Sequence, residues 1–449
     1  MSLKRGIFYT FLTQVPTLLL YFVSNICHTR ILGDEGRGAY ALFLNQTALL
    51  TMALGLNLAF GINYFVSREQ GNPARMVRVA STSLLFNLAA LPLFLAMSFG
   101  IPALNRIFFP PGTGHWGYFL FLFATVMAAQ VSGYIGAIVL AFRKFAILNR
   151  MSIFSAGLAA VGYGVLFALR ANVPAQYALP AVLGIALACS VVTLVFWLWI
   201  YIRLVGLPPV PTWEWQVLKP VLSLSMVGYL SNMINLINYR FDIWVVGSYA
   251  GTAQLGLYAA AAGVVQMLFY IPEPFSKVVQ PYLYRGLNPN LLERFKFISR
   301  LSFTSVTAIS LLLALSAPWL IPLIYGSAFT EAVTPLILLL PGIIFVCAFK
   351  LFAPLVIEGG HIRFNLYATS VSAAITILLD LLLIPPYGII GAAVASTLAY
   401  AALFAVQSFV IRFKMQVPMA DMFLVQRNDL ARMLALVKGR VPTLFRDHR

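Results

Sequence analysis

Charge is what this sequence has least of. Only 10% of its 449 residues carry a charged side chain, while 61% are apolar. Soluble domains carry about 25% charged residues, so a water-soluble protein of this length is excluded, and so is a disordered chain. Cysteine is scarce too: Cys27, Cys189 and Cys347 stand far apart in apolar runs, with no CxxC spacing. That excludes a disulfide framework and a paired-cysteine metal site. There is no GxxxxGK[ST] phosphate loop, no HExxH and no Ser-His-Asp grouping, so ATP hydrolysis by the phosphate-loop route is excluded. The connections are too short for a soluble catalytic domain; the longest outer one, residues 101–116, holds Arg106 and His115 but no acid.

What the sequence has instead is hydrophobic length. A helix needs about 20 apolar residues to cross a bilayer. Twelve runs qualify: residues 7–29, 39–66, 79–100, 116–141, 151–170, 177–202, 219–247, 254–284, 300–325, 332–357, 362–384 and 388–411. Connections such as 32–38 (LGDEGRG) and 384–388 (IPPYG) stop one helix and start the next. The short basic start lacks a cleavage pattern and reads as a retained first span. The net charge of +17 could suggest a nucleic-acid partner. Its distribution says otherwise: only Arg30, Arg37, Arg106, Arg170 and Arg240 fall on the odd-numbered connections. The positive-inside rule then places both termini in the cytoplasm.

The fold class is an all-α polytopic membrane protein of twelve spans. The proline-rich link near mid-chain divides it into an N-terminal six-helix bundle (1–203), a cytoplasmic linker (204–218), a C-terminal six-helix bundle (219–414) and a cytoplasmic amphipathic tail (415–449). The tail reads as a helix on the inner membrane surface or as a docking site for a partner. The halves share a signature, Gly38-Ala39-Tyr40-Ala41 and Gly256-Leu257-Tyr258-Ala259, and both sixth spans are rich in small residues (184–190 and 391–396). Six plus six spans with the same orientation imply bundles related by a pseudo-two-fold axis along the membrane normal. Transport sites commonly lie between such repeats.

Polar side chains within spans carry the functional reading. At 100° per residue, Gln14, Thr17, Tyr21, Asn25 and His28 share a face of span 1. So do Gln46, Asn57 and Tyr64 in span 2, Asn232, Asn235, Asn238 and Asp242 in span 7, and Gln266, Tyr270, Glu273 and Lys277 in span 8. Interhelical hydrogen bonds, worth about 0.6–2 kcal/mol each, are the plain explanation of any one of them. Their concentration in four spans points to a wet cavity. Its neutral lining would be Asn25, His28, Gln46, Asn57, Asn232, Asn235, Asn238 and Gln266, suited to sugar hydroxyls. Arg30, Arg240, Asp242, Glu273, Lys277 and Lys350 would meet an anionic head group or form gates. His28 reads as a proton site or as a hydrogen-bonded interface residue. Asp380 reads as a buried coupling carboxylate or as an outer-surface residue beside Pro385. No metal site and no resident cofactor are expected.

Three stretches, residues 30–41 (RILGDEGRGAYA), 141–149 (AFRKFAILN) and 380–396 (DLLLIPPYGIIGAAVAS), make the chain similar to polysaccharide flippases of the Wzx type. These belong to a superfamily that includes MATE multidrug exporters and the lipid II flippase. The family more often has Asn where Asp380 stands. The resemblance implies a V-shaped pair of six-helix bundles in a prokaryotic plasma membrane, with spans 1, 2, 7 and 8 around the cavity. It also implies transfer of a polyprenyl-pyrophosphate-linked oligosaccharide to the outer leaflet by alternating access. Proton or sodium coupling and a polysaccharide polymerase partner belong to the same expectation. A cation-coupled multidrug exporter and an integral-membrane glycan polymerase or ligase are the alternatives.

Overall fold

The computed structural model describes residues 3–68, 115–142, 144–205, 214–272, 289–359, 361–423, 426 and 429. All regular elements among them are helical, which is how a chain satisfies its backbone polar groups in lipid. They are α1 (Leu3–Gly55), α2 (Leu58–Arg68), α3 (His115–Ala141), α4 (Phe145–Ala168), α5 (Ala175–Val205), α6 (Trp215–Tyr249), α7 (Gly251–Gln266), α8 (Pro289–Tyr325), α9 (Val333–Glu358), α10 (Ile362–Phe409) and the short α11 (Ala420–Phe423). A 3-10 turn, Met267–Tyr270, continues α7.

Two of these helices are too long for one crossing. α1 has 53 residues and α10 has 48, about 80 and 70 Å at ~1.5 Å per residue, against ~30 Å of hydrocarbon. Each breaks at one glycine in the left-handed half of backbone space: Gly33 (φ 66°, ψ −169°) and Gly388 (φ 55°, ψ −134°). The breaks are reversals. The His28 and Tyr40 rings lie 5.0 Å apart on opposite sides of Gly33, and Ser372 Oγ donates to the Ala399 carbonyl at 3.0 Å across 27 residues. A straight helix would separate these pairs by about 18 and 40 Å. Both helices are therefore hairpins of two spans.

Nine helices among the described residues are long and apolar enough to cross a membrane when the bent α6 counts once; the two hairpins raise the crossings to eleven. The predicted span 79–100 lies outside the described residues. The all-α polytopic class read from the sequence is the class the chain adopts. One expected span, 39–66, is not continuous, because Leu56 and Asn57 leave the helix with φ 44° and 55°.

The chain packs as two compact units, one Val15–Leu236 and the other Ile237–Arg449 with Met1–Gln14. In the first, Phe43, Leu50, Tyr118, Leu122 and Val182 form one core, and Leu58, Ile62, Ile138, Trp197 and Val221 another. In the second, α9 lies against α10 at close range: a Cβ on Gly342 would be 2.8 Å from Thr397 Cα, and Thr397 Oγ1 donates to Leu338 O at 2.6 Å. The small-residue run of α10 makes this approach possible, with Ala392, Ala393, Ala395, Ser396 and Ala399 all buried. The matching run in α5 packs less tightly; Ala188 is exposed, and nothing lies near Gly184. α8 turns Leu312, Leu315, Trp319 and Leu323 outward, Trp319 being 75% exposed, as a lipid-facing stripe should be.

The start of the tail packs against the second unit. Gln416 takes φ 55° and turns the chain back, so that Val417, Met422 and Phe423 enter the apolar core of the second unit with Phe295 and Phe352. Apolar side chains that find a protein groove have no reason to seek lipid. The chain after residue 429 lies outside the described residues.

Candidate functional site

The predicted cavity residues fall in both units. In the first unit, His28 is buried between the Tyr40 and Tyr163 rings, at 5.0 and 5.4 Å. The hydroxyls of Tyr40 and Tyr163 meet at 3.1 Å. The Gly33 reversal creates this cluster by bringing Tyr40 back beside His28. Gln46 is fully buried and accepts the Tyr118 hydroxyl. Asn57 sits in the α1–α2 break. Asn25, Asn232 and Asn235 are half-buried, and Arg30 is exposed.

In the second unit, Asn238 is committed to α10. Its amide donates to Thr369 O at 3.0 Å, its side-chain oxygen accepts Thr376 Oγ1 at 3.5 Å, and its backbone carbonyl accepts the Tyr400 hydroxyl at 3.2 Å. One turn further on, Asp242 is buried, accepts the Ile243 N–H at 2.8 Å and takes the Tyr258 hydroxyl on its other oxygen. Tyr258 also lies 3.4 Å from Ser396 Oγ. Tyr258 of the repeated signature thus serves Asp242. Arg240 and Gln266 are half-buried. Lys350 on α9 holds its ammonium 3.7 Å from the Phe269 ring centroid and 5.5 Å from that of Tyr239, where α7 has narrowed to its 3-10 turn. Glu273 and Lys277 lie outside the described residues.

Asp380 belongs to this second cluster, and the sequence left its position open between two depths. Its exposure is 0%, so its side chain is enclosed by protein. Neither of its carboxylate oxygens has a hydrogen-bond partner among the described residues, and it feels the charge of Asp242. α10 carries both Asp380 and, after the Gly388 reversal, Ser396 and Tyr400, so one hairpin delivers three of the groups around Asp242. Two buried carboxylates with neighbouring hydroxyls, and with the Arg240 charge acting on Asp242, offer oxygen ligands of the kind that take a proton or a hard cation. No group of three His, Cys, Asp or Glu that could hold a metal ion occurs among the described residues.

Sequence reasoning also missed Arg300 and Asp429. Their buried pair closes at 2.6 and 3.0 Å, and the same guanidinium donates to Asp421 O at 2.6 Å. No local signal marks them, since 129 residues separate the two.

A profile of the family described as "Polysaccharide biosynthesis protein" matches residues 29–334. No curated protein matches the sequence. Among solved structures, the lipid II flippase MurJ in an inward closed conformation superposes with a TM-score of 0.73 at 12% identity, covering 98% of this chain and 94% of that one. An inward-facing multidrug resistance MATE family transporter of the MOP superfamily gives 0.63 at 15% identity, with 89% and 96% covered. A MOP superfamily transporter from Pyrococcus furiosus gives 0.62 at 15% identity, with 92% and 96% covered. At such identities the likeness is one of fold.

Proposed function

The chain belongs to the polysaccharide biosynthesis protein family, and from that premise we propose that it is a flippase for a polyprenyl-pyrophosphate-linked oligosaccharide, working by alternating access. The substrate passes from the cytoplasmic to the outer leaflet of a prokaryotic plasma membrane, with both termini of the chain in the cytoplasm. The observation that carries the reading is the burial of two acids of the second unit, Asp242 and Asp380, inside membrane-spanning helices. Ionisable groups there are costly and mark ion or substrate paths. A proton or a monovalent cation taken up by the pair supplies the coupling, and the protein has no resident cofactor.

The half-buried amides Asn25, Asn232, Asn235 and Gln266 face the glycan. Arg30, Arg240, Lys277 and Lys350 meet the pyrophosphate. Asn238 and Gln46 leave the ligand set, because helix contacts already use their amides. The chain is no enzyme, and a polysaccharide polymerase takes its product. The same acid pair also favours a second reading, an exporter of small organic cations, since buried carboxylates attract cations.

The test is reconstitution with a fluorescent lipid-linked oligosaccharide, following the label's accessibility in each leaflet. Leaflet exchange without new glycosidic bonds supports the flippase. New bonds make the chain an enzyme, and transport of an organic cation without lipid exchange makes it an exporter.

A further inference from the structure

In the first unit, a strained break in one span meets a bend in another. Leu56 and Asn57 are consecutive non-glycine residues in left-handed conformations, φ 44° and 55°, within a predicted span. Such residues cost free energy and persist only where surrounding structure holds them. The helix resumes at Leu58, and Phe60 N–H bonds back to Asn57 O at 3.0 Å. α6 bends by 43° between Leu218–Met226 and Gly228–Tyr249. The two discontinuities touch: a Cβ on Gly228 would lie 2.5 Å from Asn57 Nδ2.

The break is also provided with hydrogen-bond partners, as a break in lipid must be. Past the last turn of α1, the Ala53 carbonyl loses its helical donor, and the Tyr229 hydroxyl of α6 approaches it at a long 3.4 Å. From α3, Gln130 donates to Thr51 O at 2.8 Å while its own oxygen accepts Tyr134 at 3.1 Å. A turn beyond the break, Gly61 lets Val221 and Ser225 come into backbone range. Asn tolerates left-handed φ better than other residues bearing a side chain, which explains its place here without a ligand.

We propose that Asn57 and Gly228 form a joint through which the second span and α6 bend together, so that Asn57 is a positioning residue for alternating access and not a glycan contact. The joint rests on the flippase reading only for the step that it serves. Its geometry stands without it.

The experiment is a double-mutant cycle with Asn57→Gly and Gly228→Ala in the full chain, plus Asn57→Val. Three readouts are taken: melting temperature, affinity for the lipid-linked oligosaccharide and rate of leaflet exchange. A β-branched side chain does not accept the left-handed conformation, so Asn57→Val slows exchange about tenfold or more while affinity holds. Gly228→Ala alone slows exchange to a similar extent. Asn57→Gly keeps the conformation, removes the amide that the new methyl strikes, and restores the rate of Gly228→Ala. Contacting residues give such non-additive cycles. Loss of affinity in Asn57→Gly would make Asn57 a ligand and overturn the proposal, as would additive effects on melting and exchange. If the wild-type chain exchanges no lipid-linked saccharide, the flippase reading falls. Non-additive melting temperatures would then still support the joint, and additive ones would remove it.

Discussion

Arg300 and Asp429 are buried with side-chain exposures of 1% and 3%, and their bidentate contact ties the tail to the helices of the second unit. Removing one member of a buried pair strands the other charge, at a cost of about 3–5 kcal/mol. Asp429→Asn and Arg300→Gln are therefore expected to lower the melting temperature in detergent clearly and to expose the tail to protease. Glu293, bound to Lys296 at 2.9 Å, is half-exposed, and exposed ion pairs contribute about 0–1 kcal/mol. Glu293→Gln should change little; a loss equal to that of Asp429→Asn would deny the buried pair its role. Asp421 reaches Lys296 at 3.1 Å with its carboxylate while its carbonyl serves Arg300. This explains why a segment that reads as amphipathic in isolation is held against protein: its polar side has partners there as specific as its apolar side has.

At the scale of the element, the two long helices fold back because one residue in each adopts backbone angles that side chains resist. A Cβ on Gly33 or Gly388 would meet nothing within 4 Å, so any penalty at these sites comes from the backbone alone. Gly33→Ala and Gly388→Ala are each expected to cost about 1–3 kcal/mol, read as lower melting temperatures. Gly133, inside α3 with equally open surroundings, is the control: alanine there stabilises by up to ~1 kcal/mol. Equal behaviour at all three positions would show that the reversals do not depend on glycine. Both reversals were legible in the sequence, since LGDEGRG and IPPYG carry their own stop signals. The break at Leu56 and Asn57 was not. Neither residue is a helix breaker of the glycine or proline kind, and the contact that accompanies their conformation comes from Gly228, far away in the chain. Asn57 tolerates such angles, but that tolerance alone does not mark a break in the sequence.

For the molecule as a whole, periodicity showed which helices carry polar stripes but not what those stripes bind. A 100° spacing places an amide on a face and leaves open whether a sugar or the next helix answers it. Gln46 and Asn238 found helices. Asp380 was hardest to place, since the Pro385-Pro386 pair beside it suggested a surface turn, and only the α10 hairpin brings it, fully buried, within reach of the Asp242 charge. This pair bears on energetics. A lipid-linked saccharide accumulates in one leaflet only if its transfer is linked to a downhill step, and the sequence has no phosphate loop to supply one. A cation that binds the native pair and not the unfolded chain stabilises the fold by mass action, about 2.7 kcal/mol at a hundred times its dissociation constant. The wild-type chain is therefore expected to melt at higher temperature as sodium, or proton concentration if the pair takes a proton, is raised. Asp380→Asn should flatten that dependence and reduce gradient-driven exchange to the rate seen without a gradient. Asn keeps the shape of the side chain and removes its charge, so a loss confined to the gradient-dependent component assigns the coupling to the carboxylate. If Asp380→Asn retains both the ion-dependent melting and the gradient response, the pair is a structural contact, and the coupling ion binds elsewhere.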